Sequence, residues 1–159
     1  LTGPEGIRQV PIQEFYTGPG KTVRRHEEVM TAIRIRRRDY EGYTGCYIKY
    51  GKRNAMEIAT LGCACLVKLS WDKKVVEDMR IAYGVAAPTP VRCPETEKSV
   101  SGQAVSNALL LQTGKGVLNE VNPRTSWRAS KEFRLQLVEE LAKRAMAQAI
   151  RNGGGEVDA

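Results

Sequence analysis

The chain has 159 residues, a formal net charge of +7 and a pI of about 9.4. That length suits one domain, or one domain with a piece of another, and it can bury a core without covalent staples. No apolar run approaches the ~20 residues that cross a bilayer, and no signal-peptide pattern opens the chain, so a cytoplasmic protein without a membrane role is expected.

Residues 7–12 predict a short strand. The turn-rich stretch that follows, Thr17-Gly18-Pro19-Gly20-Lys21-Thr22, imitates a phosphate-binding loop, but Phe15 stands where the Walker pattern needs a glycine. The dinucleotide fingerprint fails at Val23 for the same reason, so a connecting loop is expected. From Glu27 to Arg37 the residues alternate, with Val29, Thr31, Ile33 and Ile35 on one face, which predicts a strand. Arg34, Arg36, Arg37 and Arg38 could touch phosphate backbones. Without aromatic platforms among them, they read better as a solvated edge that discourages strand pairing. His26, beside Glu27 and Glu28, reads as a surface residue. The glycine- and charge-rich stretch from Asp39 to Gly45 is a domain boundary, dividing the chain into 1–38 and 39–159.

The stretch from Tyr47 to Leu69 organises the rest. It opens on a short strand (Tyr47, Ile48, Lys49, Tyr50), passes a basic turn (Gly51, Lys52, Arg53, Asn54), and then alternates. Ala59, Leu61, Cys63, Cys65, Val67 and Leu69 form one apolar face, as in a strand lying on a core. Gly62 inside it marks a bulge or a close approach. The four cysteines, Cys46, Cys63, Cys65 and Cys93, lack metal-ligand spacing and read as buried thiols in a reducing compartment. Val75 to Tyr83 is a further strand, with Val75, Met79, Ile81 and Tyr83 inward. Pro88, Pro90 and Pro94 make 84–94 a stiff, extended connection. A helix is expected over 103–119, weakened by Gly114 and Gly116. A stronger one is expected over 130–151, where Leu137, Leu141, Ala145 and Ala149 fall at helical spacing. Glu139–Lys143 and Glu140–Arg144 pair on its outside, and Asn152-Gly153 stop it. Strands followed by helices give an α+β fold, with helices packed on one face of an antiparallel sheet.

No nucleophile–base pair stands out. Three segments, however, resemble one family in its order: Y-I-K-Y-G-K-R-N-A-M-E-I-A-T-L-G-C-A, I-A-Y-G-V-A-A-P-T-P-V-R-C and S-W-R-A-S-K-E-F-R. Upstream, V-P-I-Q-E-F-Y-T-G-P-G-K-T and E-E-V-M-T-A-I look like the end of the preceding domain. Together they resemble the FAD subunits of the molybdenum hydroxylases of the xanthine-dehydrogenase type, in their CO dehydrogenase flavoprotein C-terminal domain.

The resemblance implies an oxidoreductase complex. It oxidises a purine or similar heterocycle at a molybdopterin centre, and electrons pass through iron–sulfur clusters to FAD and usually on to NAD. It implies that Lys49 lies near the flavin ring and that Met30 packs beside it. Arg53 and Glu57 match a charged pair of the K-x-x-x-R…D-I motif, with Glu57 where the family more often has Asp. The expected partners are an iron–sulfur subunit and a molybdopterin-binding subunit, with no nucleic acid and no membrane. The family's glycine-rich pyrophosphate cradle should lie upstream, so FAD is expected only together with that missing half. Two other readings stand beside this one: a non-catalytic assembly module that docks partner subunits, and a nucleic-acid-binding domain built on the arginine run.

Overall fold

The structure, a computed structural model, describes residues 1–53 and 55–157. Asn54, placed by the sequence in the basic turn, lies outside the described residues. The chain divides into two compact units, Leu1–Glu41 and Gly42–Ala159.

In the first unit β1 (Thr2–Gly3) pairs antiparallel with β2 (Gly6–Ile7), a single helical turn α1 follows (Ile12–Phe15), and β3 (Tyr16–Gly18) pairs with β4 (Lys21–Thr22). The expected strand over 7–12 thus ends at Ile7 and gives way to a helical turn. The stretch 17–22 is a small hairpin rather than an open loop. The strand expected over 27–37 does not form. Val29 makes one isolated bridge with Thr2, while Ile33 and Ile35 are 78% and 70% exposed. Alternation gives a strand only where a neighbouring edge supplies hydrogen bonds and a face supplies burial, and within this unit neither is offered to 30–36. Of the arginine run, Arg36 bonds Asp39 and Arg37 bonds Glu41.

The polar centre of this unit is Glu28. Its carboxylate accepts Arg8 Nε at 2.6 Å and Nη2 at 2.8 Å, and the Arg25 backbone N–H at 2.7 Å. Arg8 also donates to the Val23 carbonyl at 2.7 Å, so one bidentate pair ties three loops together. The Arg8 hydrogen bonds, and then that of Arg25, hold the Glu28 carboxyl down at about 2. A carboxylate lowered in the fold stabilises it above the unfolded pKa of about 4.3, and that contribution disappears as pH falls towards 2. Carboxyl NMR should therefore find Glu28 titrating near 2. Titration in the ordinary glutamate range would show that the clasp is absent.

The second unit is built on one antiparallel sheet. β5 (Thr44–Tyr50), β6 (Leu61–Leu69), β7 (Val75–Gly84) and β8 (Val91–Arg92) lie in that order. β9 (Gln103–Ala104) pairs with the start of β7, at Val75 and Val76. The alternation read from β6 is kept: Leu61, Cys63, Cys65 and Val67 are fully buried, and all four cysteines are free thiols. Burial pushes Cys63 and Cys93 up to about 12, so both stay protonated and act as small apolar side chains. Gly62 is a close approach rather than a bulge, because a Cβ there would stand 2.8 Å from the Tyr47 hydroxyl. The register shift falls instead between Lys68 and Leu69, where Lys68 faces Asp78 but Leu69 faces Val76. That extra residue reverses the phase of β7, so Val76 is buried where Val75 was expected.

The remaining elements are helical. α2 (Pro94–Val100) begins at the last residue of the expected stiff connection 84–94 and has no counterpart among the expected helices; its proline sits at the start, where no N–H is needed. α3 (Asn107–Gly116) starts later than expected because Gln103 and Ala104 are taken by β9; the Ser106 hydroxyl caps it, accepting the Leu109 N–H. α4 (Lys131–Asn152) is capped by Ser130 and stopped at Gly153, and it buries Leu137, Val138, Leu141, Ala145 and Ala149. On its exposed side Glu140 takes both Lys143 and Arg144 at 2.7 Å. The expected Glu139–Lys143 pair is not formed, since Glu139 lies against Gly114 of α3. α4 packs on β5 and β6, α2 on β7, and α3 on α4. The fold is therefore α+β, with an antiparallel sheet and helices on one face.

Candidate functional site

β5 is an edge strand whose even residues, Cys46 and Ile48, face the core. By alternation Tyr47 and Lys49 face the other way, and both are exposed. Beyond Tyr50 the chain makes a loop over 51–60 that returns to β6, closed at its base where the Thr60 N–H donates to the Tyr50 carbonyl at 2.8 Å.

Three of the residues named from the sequence meet in this loop. Lys49 Nζ donates to the Glu57 carbonyl at 2.5 Å. Arg53 donates through its backbone N–H to Glu57 Oε2 at 2.7 Å and through Nη2 to the Met56 carbonyl at 2.5 Å. The Lys52 and Arg53 backbone N–H groups hold the Glu57 carboxyl below the usual range. Glu57 is thus the carboxylate that organises the turn. It binds the backbone N–H of Arg53, while the Arg53 guanidinium goes to the Met56 carbonyl, so this charged pair acts as a turn clamp. At Gly51 a Cβ would strike the Glu57 carboxylate, which explains the glycine. Met30 belongs to the N-terminal unit, where it lines a shallow hollow with Phe15 and Val29.

Two features of the loop escape a sequence reading. Thr60 is fully buried and its hydroxyl has no hydrogen-bond partner among the described residues, an arrangement normally settled by a partner or a water. Met56 and Ile58 are 94% and 65% exposed, and Met56 has a φ of 50°. The loop therefore holds out two apolar side chains beside two cations. Apolar side chains beside cations are compatible with a flat ring that gains negative charge. The loop does not fit a pyrophosphate, because no glycine-rich run opens a helix among the described residues. No group of three or more metal-ligating side chains occurs among them either.

Residues 46–149 match the CO dehydrogenase flavoprotein C-terminal domain family. The chain is 40% identical over 157 residues to the xanthine dehydrogenase FAD-binding subunit of Escherichia coli O157:H7, covering 99% of this chain and 53% of that one. It is 30% identical over 148 residues to the glyceraldehyde dehydrogenase medium chain of Sulfolobus acidocaldarius, covering 93% and 51%. Among solved structures, the carbon monoxide dehydrogenase from Hydrogenophaga pseudoflava lacking the Mo-pyranopterin moiety superposes with a TM-score of 0.81 at 25% identity, over 95% of this chain and 51% of that one. Quinoline 2-oxidoreductase from Pseudomonas putida 86 shares the fold, with a TM-score of 0.81 at 16% identity over 96% and 51%. The chain spans about half the length of the curated relatives it matches.

Proposed function

The chain belongs to the CO dehydrogenase flavoprotein C-terminal domain family, and from that premise we propose that it is the C-terminal part of the FAD subunit of a xanthine-dehydrogenase-like molybdenum hydroxylase. On this reading residues 1–38 end the FAD-binding domain, and residues 39–159 supply one wall of the flavin site. The observation that carries it is the coincidence of the family match with the cationic loop: the strand and turn that bear Lys49, Arg53 and Glu57 lie within residues 46–149.

FAD, when bound, supplies reversible electron uptake. The work of this chain's residues is electrostatic and positional. The Glu57 carboxylate fixes the turn, and the Glu57 carbonyl holds the Lys49 ammonium. Arg53 adds a second positive charge, while Met56 and Ile58 exclude water. Met30 would pack beside the flavin ring. A fixed cation favours a neighbouring group that gains negative charge on reduction. An iron–sulfur subunit would deliver the electrons, a molybdopterin-binding subunit would draw them from a purine or similar heterocycle, and NAD would take them away, all in the cytoplasm.

Lys49→Met tests the assignment in a subunit assembled from this chain and its upstream half. FAD binding should weaken about tenfold, or about 1.4 kcal/mol, and the flavin reduction potential should fall. Unchanged affinity and potential would remove Lys49 from the flavin wall.

A further inference from the structure

Two tryptophans stand almost fully in solvent, Trp71 at 94% and Trp127 at 82% exposure, and they differ in how they are held. Trp127 and Arg128 are the two tip residues of a tight turn, closed by Ser126 N–H to the Ala129 carbonyl at 3.0 Å and Ala129 N–H to the Ser126 carbonyl at 3.2 Å. The Arg128 guanidinium carbon lies 4.3 Å over the Trp127 ring. Beneath the turn is Arg134, in the first turns of α4 and 2% exposed. It donates to the Arg124 carbonyl and, at 2.9 Å, to the Ser126 hydroxyl. Its Nε has no partner and no carboxylate pairs with it among the described residues. Burial, with Arg124 and Arg128 nearby, holds its pKa below the usual value.

An unpaired guanidinium buried in this way is costly to the fold. What it accomplishes is to fix the backbone that displays Trp127 and Arg128. Tryptophan and arginine are the residue types that dominate protein–protein hot spots, and a display fixed before contact loses little freedom on binding. With Arg134 buried, residues 122–134 bring Arg124, Arg128 and Lys131 to the surface against Glu132 alone, so the complementary surface is acidic. The hollow on this chain's own β5–α4 face is not such a surface. The hollow between β5 and α4, floored by Cys46, Ile48 and Ala147, is ringed by Lys143, Arg144 and Arg151. Nor does the turn resemble a single-strand nucleic-acid site, which stacks successive bases on several aromatic platforms along a groove.

We propose that the Trp127–Arg128 turn is a docking knob that seats in an apolar pocket with an acidic rim on another subunit of the same oxidoreductase complex. The proposal rests on the reading of the chain as part of a multi-subunit enzyme.

The test assembles the full flavin subunit with its iron–sulfur and molybdopterin-binding partners. Affinity is measured for the unsubstituted protein and for Trp127→Ala, Arg128→Glu and Trp71→Ala. Trp127→Ala and Arg128→Glu should each weaken assembly about tenfold or more, with thermal melting unchanged because both side chains lie outside the core. Trp71→Ala should stay within about twofold. Normal assembly of Trp127→Ala and Arg128→Glu overturns this inference and leaves the flavin-subunit reading intact. An unsubstituted subunit that binds neither partner overturns both. Oligonucleotide binding that Trp127→Ala abolishes, with assembly unchanged, overturns the knob in favour of a nucleic-acid contact.

Discussion

Glu97→Ala is expected to destabilise the C-terminal unit by about 3 kcal/mol, combining an orphaned buried donor with a broken ion pair. The corresponding fall in melting temperature is roughly 10 °C. The reason lies in how the sheet ends. β8 pairs with β7 only at Ala82 and Tyr83, so the ladder stops one residue short of Ile81. Glu97, reaching over from α2, completes it. Its Oε1 accepts the Ile81 N–H at 3.0 Å and Arg92 Nε at 2.9 Å, and its Oε2 accepts Arg92 Nη2. Alanine would leave the Ile81 N–H buried without an acceptor and Arg92 without its partner. Glu97→Gln keeps an acceptor for Ile81 and loses only the charge, so it should cost about 1 kcal/mol, since Arg92 is partly exposed. Urea melts of the two variants check the argument. Equal losses would mean that the Ile81 bond contributes nothing.

Gly114→Leu is expected to cost about 3 kcal/mol or more by overpacking. A Cβ at Gly114 would sit 3.1 Å from the Cγ atoms of Glu139 and Lys143 and from the Glu139 carbonyl oxygen. The glycine is therefore what lets α3 lie close on α4. Gly116 has the same part against Thr96, whose hydroxyl would stand 2.8 Å from a Cβ there. Gly114→Ala should come within about 1 kcal/mol of the unsubstituted protein, because the gain in helix propensity opposes the tight contact. Denaturant melts that place Leu and Ala together would show that the helices move apart freely.

These glycines also show where the sequence stops being legible. Read one-dimensionally, Gly114 and Gly116 weaken a helix; in three dimensions they are the condition for its packing. β6 and α4 could be read in advance, because each carries an unbroken period over many residues and each buries one face on a single core. β7 was read with its start out of phase, since the bulge beside Leu69 depends on pairing between strands and leaves no mark on either one alone. α2 is hidden by the prolines that lead into it, Pro88, Pro90 and Pro94, although Pro94 with Glu95 and Glu97 behind it is a helix-start pattern. The failed strand at 27–37 is the opposite case. Its alternation is as regular as that of β6, but within the N-terminal unit it has no edge to join.

The candidate site divides in the same way. Lys49, Arg53 and Glu57 could be named from their resemblance to a family motif, and the structure brings them into one loop. Their connectivity could not be read. A Glu57 carboxylate that clamps backbone N–H groups and a Thr60 hydroxyl left without a partner are properties of a folded turn. The Trp127–Arg128 knob depends likewise on the burial of Arg134, which nothing in its sequence neighbourhood announces.

The central claim is that this chain completes a flavin site begun by an upstream half. The direct measurement is a titration of FAD into that upstream half with and without this chain, followed by flavin absorption and fluorescence. The account predicts tight binding of about one FAD per assembly when the chain is present, at least tenfold tighter than without it, and a loss of that gain in Lys49→Met. An upstream half that binds FAD equally tightly alone, with spectra indifferent to this chain, would contradict it.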